Sequence, residues 1–278
     1  MLTARQHTFI EPCTMMIKKG SSSFYHAFKY LPSPRREAVY IMYAFCRMID
    51  DAVDEPDKSP YTLDELEEHF IHLDKANGHF IWPALRYLFD HFPITKEPFF
   101  TQMKGQRMDF EQTSYSTMEE LESYCYHVAG SVGEMLLPVL HNQPNEQVKQ
   151  AGIALGKAMQ IVNIIRDVGE DKRLGRRYIP MELFQRYNYS FDHFRQGIIN
   201  DAFISVLKDL ENRAEMWFYE GLNGISTYPN ESAFSINLAT KYYREILEVV
   251  KQNQYDVFNK RAIVSNARKG LLLKQVHQ

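Results

Sequence analysis

The sequence predicts an all-α fold: a single domain, residues 1–278, of many packed helices. Three observations lead there. Apolar residues recur at three- and four-residue spacing over 34–54, 62–76, 96–113, 117–141, 146–171, 198–223, 231–253 and 260–274. No stretch alternates cleanly at period two, as a half-buried strand would. Breakers fall between these segments: Pro32 and Pro34, Pro56 and Pro60, Pro93, Pro144, Gly175 and Pro180, Gly221 and Gly224, Pro229.

Composition narrows the function classes. Hydrophobic residues make up 45% of the 278 and charged residues 24%, which supplies a sizeable core under a solvated surface. A net charge of −3 leaves no electrostatic footprint for nucleic acid. No apolar run reaches the roughly 18 residues of a membrane span. The opening MLTARQHTFIEPC lacks the continuous apolar stretch of a secretory signal. Cys13, Cys46 and Cys125 are odd in number and scattered, which fits reduced thiols in a cytoplasmic protein better than disulfides or a zinc site.

Taken in order, the elements differ in character. Lys18-Lys19-Gly20-Ser21-Ser22-Ser23-Phe24 precedes a helical segment. Serines there offer hydroxyls and free backbone amides to an anion, or simply cap the helix, and both readings stay open. The next helix, Ala38 to Glu55, is almost wholly apolar until Arg47 and then carries Asp50, Asp51 and Asp54. Asp50 and Asp54 stack on one face about 6 Å apart along the axis, with Arg47 a turn earlier. From Tyr124 to Leu140, Ala129, Gly130 and Gly133 interrupt an apolar helix. Each helical glycine costs roughly 1 kcal/mol against alanine. Its return is close approach of a ligand, close approach of another helix, or a local break. His127 has no second histidine at ligand spacing and reads as a packed helix residue.

The helix from Ala158 to Asp171 aligns Gln160, Asn163, Asp167 and Asp171 in one polar stripe, and isoleucines and valines fill most of the remaining circumference. Arg173, Arg176 and Arg177 follow, ahead of Tyr178, as a solvated basic loop or as a lid over an anion. Tyr243 and the Lys260-Arg261 pair are weak signals by themselves. Carboxylates on helices buried on most sides repel one another and resist desolvation unless a cation compensates. Magnesium, a hard ion commonly held by one or two carboxylates plus substrate phosphates, suits two such pairs. The two aspartate helices therefore point to a cavity where several magnesium ions hold a diphosphate.

Four stretches in order carry a resemblance: SSSFYHAFKYLPSPRREAVYIMYAFCRMIDDAVD, MDFEQTSYSTMEELESYCYHVAGSVGEM, QIVNIIRDVGEDKRLGRRYIP and YDVFNKRAIVS. Over about Ser21 to Lys269 the chain resembles the squalene and phytoene synthases, the head-to-head prenyl synthases, and among them the bacterial dehydrosqualene and phytoene synthases. The resemblance implies an all-α isoprenoid-synthase bundle with a central cavity. It implies that Asp50, Asp54, Asp167 and Asp171, with Asn163, hold magnesium. It implies that Ser21, Ser23, Arg47, Gln160, Asn163, Arg177, Tyr178, Tyr243 and Arg261 stand around the diphosphates or the reacting carbons. Two positions depart from the family's pattern: Gly20, where many relatives have histidine, and Ser114, where phytoene synthases commonly have arginine.

The activity implied is magnesium-dependent condensation of two prenyl diphosphates through a cyclopropylcarbinyl diphosphate. Phe24, Tyr43 and Tyr126 are candidates to face a carbocation through their rings. The DDAVD form of the first motif favours two farnesyl diphosphates and a dehydrosqualene product. Phe28 and Tyr40 are expected to meet at the tunnel floor and select the shorter substrate. NADPH is not expected, although the missing G-x-G-x-x-G decides little, because relatives that use it lack that fingerprint too. The competing readings are a farnesyl diphosphate hydrolase on the same scaffold, a phytoene synthase using geranylgeranyl diphosphate, and a catalytically silent helical partner. Peripheral contact with a membrane is expected where an apolar product leaves.

Overall fold

The computed structural model describes residues 3–276. It begins with α1 (Ala4–Gly20), α2 (Ser22–Phe28), α3 (Arg35–Asp54), α4 (Leu63–Ile71) and α5 (Ile81–His91). Next come α6 (Glu97–Glu111) and α7 (Met118–Cys125), which passes through a π-turn (Tyr126–Gly130) into α8 (Ser131–Leu140). The long α9 (Glu146–Arg173) precedes two short helices, α10 (Met181–Arg186) and α11 (Phe191–Gln196). The chain continues with α12 (Asp201–Leu222), α13 (Asn230–Gln252) and α14 (Asn266–Val276). Among the described residues, extended pairing is confined to an isolated bridge between Ser114 and Arg177.

α9 is the axis of the bundle: α7, the π-turn, α8, α12 and α13 all pack on it. Asn145 caps its start by accepting from the Val148 N–H, and Lys172 and Arg173 complement its C-terminal dipole. α3 forms the facing wall, held by α1, α5, α6 and α8. It is buried on almost every side from Ala38 to Ile49, which explains why its apolar residues do not form a single stripe.

Several helices escape the periodicity reading, and the two longest of them, α1 and α5, both contain proline. α1 runs through Pro12, which reads locally as a breaker. Its start is secured by a reciprocal cap between Thr3 and Gln6, and Phe9, Ile10, Cys13 and Ile17 bury one face. α5 carries Pro83 in its first turn, where an amide donor would be unpaired in any case. The last predicted segment starts too early. Residues 260–265 form no helix: Ala262 and Val264 are buried while Arg261 and Ile263 are exposed. α14 starts only after Ser265, whose hydroxyl accepts from the Arg268 N–H.

The small residues near Gly130 serve helix contact first. A Cβ on Gly133 would stand 2.2 Å from the Gly152 carbonyl oxygen, and one on Gly156 would stand 2.1 Å from the Ala129 oxygen. α9 therefore touches the π-turn and α8 backbone to backbone, and the local break is the π-turn itself. Among the described residues no helix is long and apolar enough to cross a membrane.

Candidate active site

α3 and α9 present their aspartates to a common mouth. On α3, Asp50 is half-buried and accepts a 2.7 Å hydrogen bond from Gln106 Nε2 of α6. Burial pushes its pKa up to about 8; the charges of Asp54, Asp51 and Asp109 add to this and Arg47 opposes it. Arg47 itself binds Asp51 at 2.6 Å. Asp54 pairs with Arg176 at 2.7 Å.

On α9, Asp167 is held by two guanidinium groups. Arg166 reaches it at 2.8 and 2.5 Å, and Arg261 at 2.8 and 3.3 Å. Burial works against the charged form, but the two arginines outweigh it and hold the Asp167 pKa below the usual carboxylate value. Asp171, one turn on, forms no salt bridge among the described residues. Burial, reinforced by Asp167, Glu170 and Asp109 against Arg176, pushes it up to about 8. Deeper on the same stripe, Asn163 Nδ2 donates to Gln160 Oε1 at 3.3 Å. Asn163 Oδ1 is buried with no hydrogen-bond partner among the described residues.

Below this mouth lies a cavity of about 230 Å³ between α2, α3, α6, α8, α9 and α13. Asp50, Gln160, Asn163 and Tyr243 line its charged end. Phe24 lies edge-on to Tyr243, with ring centroids 5.8 Å apart, and also packs on Phe28 and Tyr43; all four rings line the cavity. Tyr40 does not. It turns to the other side of α3 and packs on Tyr25 at 5.9 Å, so the expected meeting of Phe28 and Tyr40 does not occur. Tyr126 also points elsewhere, with its hydroxyl donating to Glu134.

The serine turn closes one side. Ser21 caps α2 by accepting from the Phe24 N–H at 3.3 Å, and Ser23, two residues on, is half-buried. Lys269 of α14, 5% exposed, donates to Ser22 Oγ at 2.6 Å, and burial lowers its pKa. Gly20 has a local reason: a Cβ there would meet the Tyr43 hydroxyl at 2.4 Å.

Arg177 lies away from the acids. Its backbone N–H donates to the Thr113 carbonyl, and its guanidinium donates to the Tyr115 and Ile179 carbonyl oxygens. Tyr178 is buried, stacks on Tyr124 at 4.9 Å and donates to Asp109 at 2.8 Å; Tyr124 donates to the other oxygen of Asp109. These two residues are therefore held by hydrogen bonds and ring packing, and Arg176 reaches the acidic cluster in place of Arg177.

The squalene/phytoene synthase family pattern matches residues 17–268. The chain belongs to that family. It is 35% identical to the 15-cis-phytoene synthase of Synechococcus elongatus, over 93% of this chain and 89% of that one. It is 34% identical to the chloroplastic phytoene synthase of Daucus carota, over 92% and 67%. A dehydrosqualene synthase solved with a ligand superposes with a TM-score of 0.92 at 35% identity, over 98% of this chain and 96% of that one. The squalene synthase of Alicyclobacillus acidocaldarius shares the fold, with a TM-score of 0.81 at 24% identity over 91% and 97%. The chain is thus a prenyltransferase of the head-to-head type on an all-α isoprenoid-synthase fold.

Within this family member, the donors at the mouth suit a hard divalent cation. Asp50 and Asp171 are costly to ionise unaided, and Asn163 Oδ1 is an orphaned buried acceptor. Among the described residues no three His, Cys, Asp or Glu side chains converge into a complete metal cage. Three residues of the site, Gln106, Asp109 and Lys269, carry no signal of their own in the sequence, whereas Arg176 stands there in the basic run after α9. Gln106 and Asp109 leave one trace there: with Gln102 they set three buried polar side chains on a single face of α6.

Proposed function

We propose that this synthase condenses two farnesyl diphosphates into dehydrosqualene with magnesium as its cofactor. The observation that carries the reading is the pairing of a two-sided aspartate mouth with an apolar cavity directly beneath it. Magnesium, when bound, would neutralise the diphosphate and stabilise it as a leaving group. Asp50, Asp54, Asn163, Asp167 and Asp171 would hold it. Arg47, Arg176, Arg261 and Lys269 add positive charge around the leaving diphosphate. The apolar walls keep water from the allylic cation, and the rings of Phe24, Tyr43 and Tyr243 offer it π faces.

Cavity depth supports the C15 substrate. The lining runs from Val39 to Asp50 on α3 and from Gly152 to Asn163 on α9, about 16 Å on each helix. An extended farnesyl chain spans roughly 15 Å at ordinary bond lengths, and a geranylgeranyl chain roughly 5 Å more. Phe110, Leu174 and Ile263, each more than 60% exposed beside Asp109, the end of α9 and Arg261, support peripheral contact with a bilayer near this mouth. The test is incubation with farnesyl or geranylgeranyl diphosphate and magnesium, with and without NADPH, followed by product identification. A C30 polyene formed without NADPH is expected. Farnesol, squalene that requires NADPH, or a preference for the C20 substrate would overturn the reading.

A further inference from the structure

Four arginines at the mouth are committed to carboxylates: Arg47 to Asp51, Arg176 to Asp54, and Arg261 and the more interior Arg166 to Asp167. Among the described residues Asp50 has no such partner. Its side-chain hydrogen bond comes from a neutral amide, Gln106 Nε2, which is 8% exposed. The reach of that amide is set by backbone packing. A Cβ on the preceding Gly105 would stand 2.8 Å from His127 Cβ and 2.9 Å from the His127 carbonyl carbon, so α6 is pressed against the π-turn where Gln106 leaves it. Gln102, one turn earlier on α6, lies beside Cys46, one turn before Asp50 on α3, so the two helices stay in register along this seam.

A neutral donor does what an arginine would not. It fixes the rotation of the carboxylate while leaving its charge available to a cation. With Oδ1 engaged, Oδ2 is the oxygen left to face the mouth. We infer that Gln106 is the positioning residue for Asp50 and presents Asp50 Oδ2 to the metal–diphosphate. This deepens the magnesium reading above and rests on it.

The experiment measures Mn2+ binding by the resonance signal of free Mn2+, with and without inorganic pyrophosphate. It uses the native chain, Gln106→Met, Asp50→Asn and the double variant, with thermal melts alongside. Gln106→Met keeps the length and removes the donor. It should weaken pyrophosphate-supported Mn2+ binding about 10- to 100-fold at an unchanged melting temperature. In the Asp50→Asn background it should change nothing further. Turnover should fall through kcat, with KM for the prenyl chain nearly constant, because the hydrocarbon walls are untouched. Mn2+ affinity within twofold of native in Gln106→Met, or an equal loss in both backgrounds, would overturn the inference and leave the magnesium reading standing. A native chain that binds no Mn2+ with pyrophosphate would overturn both. If Gln106→Met does not fold, Gln106→Asn, which retracts the amide by one methylene, is read in the same assay and should weaken binding likewise.

Discussion

Among the described residues, the deeper aspartate of α3, Asp50, forms no salt bridge, and the outer one, Asp54, carries Arg176. On α9 the order is reversed: the deeper Asp167 is gripped by Arg166 and Arg261, and the outer Asp171 forms no salt bridge. The two pairs share one spacing, yet they keep their unpaired carboxylates at opposite ends. Each helix thus keeps one carboxylate that lacks a salt bridge among the described residues and one that is paired with arginine. The difference teaches that identical motifs need not respond alike to mutation, because the cost of removing a charge depends on what that charge was holding.

The largest effect erases the comparison. Asp50→Ala and Asp167→Ala should each lower turnover by about 10³-fold or more, and excess chelator should abolish it in the native chain. Near-normal turnover in either variant would sink the assignment of both pairs to the metal. A smaller effect separates neighbours on the loop after α9. Arg176→Gln should raise the KM for diphosphate substrate about tenfold or more. Arg177→Gln should leave it within about threefold and instead speed hydrogen exchange over 172–179, because that guanidinium braces backbone carbonyls. Steady-state kinetics and exchange on both variants would show whether the two roles divide this way.

Stability sharpens the contrast by its sign. In the metal-free protein, Asp50→Asn relieves a carboxylate that burial disfavours and should raise the melting temperature by a few degrees at pH 8. Asp167→Ala strands the mostly buried Arg166 and should cost about 2 kcal/mol or more, read as a lower urea midpoint. Equal shifts of the same sign would remove the distinction between the helices. The pH dependence follows from the same groups. Asp50 and Asp171 have folded pKa values raised to about 8, so between about pH 4 and pH 8 the folded state holds protons that the unfolded chain has released. Stability of the metal-free protein should therefore fall as pH rises through that window and level off above it. Melting curves of Asp50→Asn plus Asp171→Asn should lose most of that slope. The smallest effect is at the other end of the cavity. Phe28→Ala should increase use of the C20 substrate a few-fold, and Tyr40→Ala should not, since only Phe28 lines the cavity.

The sequence alone determined the helical class, the approximate extent of most long helices, the two Asp-x-x-x-Asp faces and the small-residue stretch near Gly130. Each of these follows from helix geometry acting over three or four residues, so it is written locally. It could not supply α1 or α5, where Pro12 and Pro83 look like breakers until a cap and a buried face outweigh them. Nor could it say that Arg176 meets Asp54 while Arg177 turns away, that Gln106 reaches Asp50 from a helix 56 residues on, or that Tyr40 faces Tyr25 and not the cavity. Those outcomes depend on how each helix is rotated and where it is pressed against its neighbours. Tertiary packing decides that through backbone contacts such as Gly105 on the π-turn and Gly156 on Ala129.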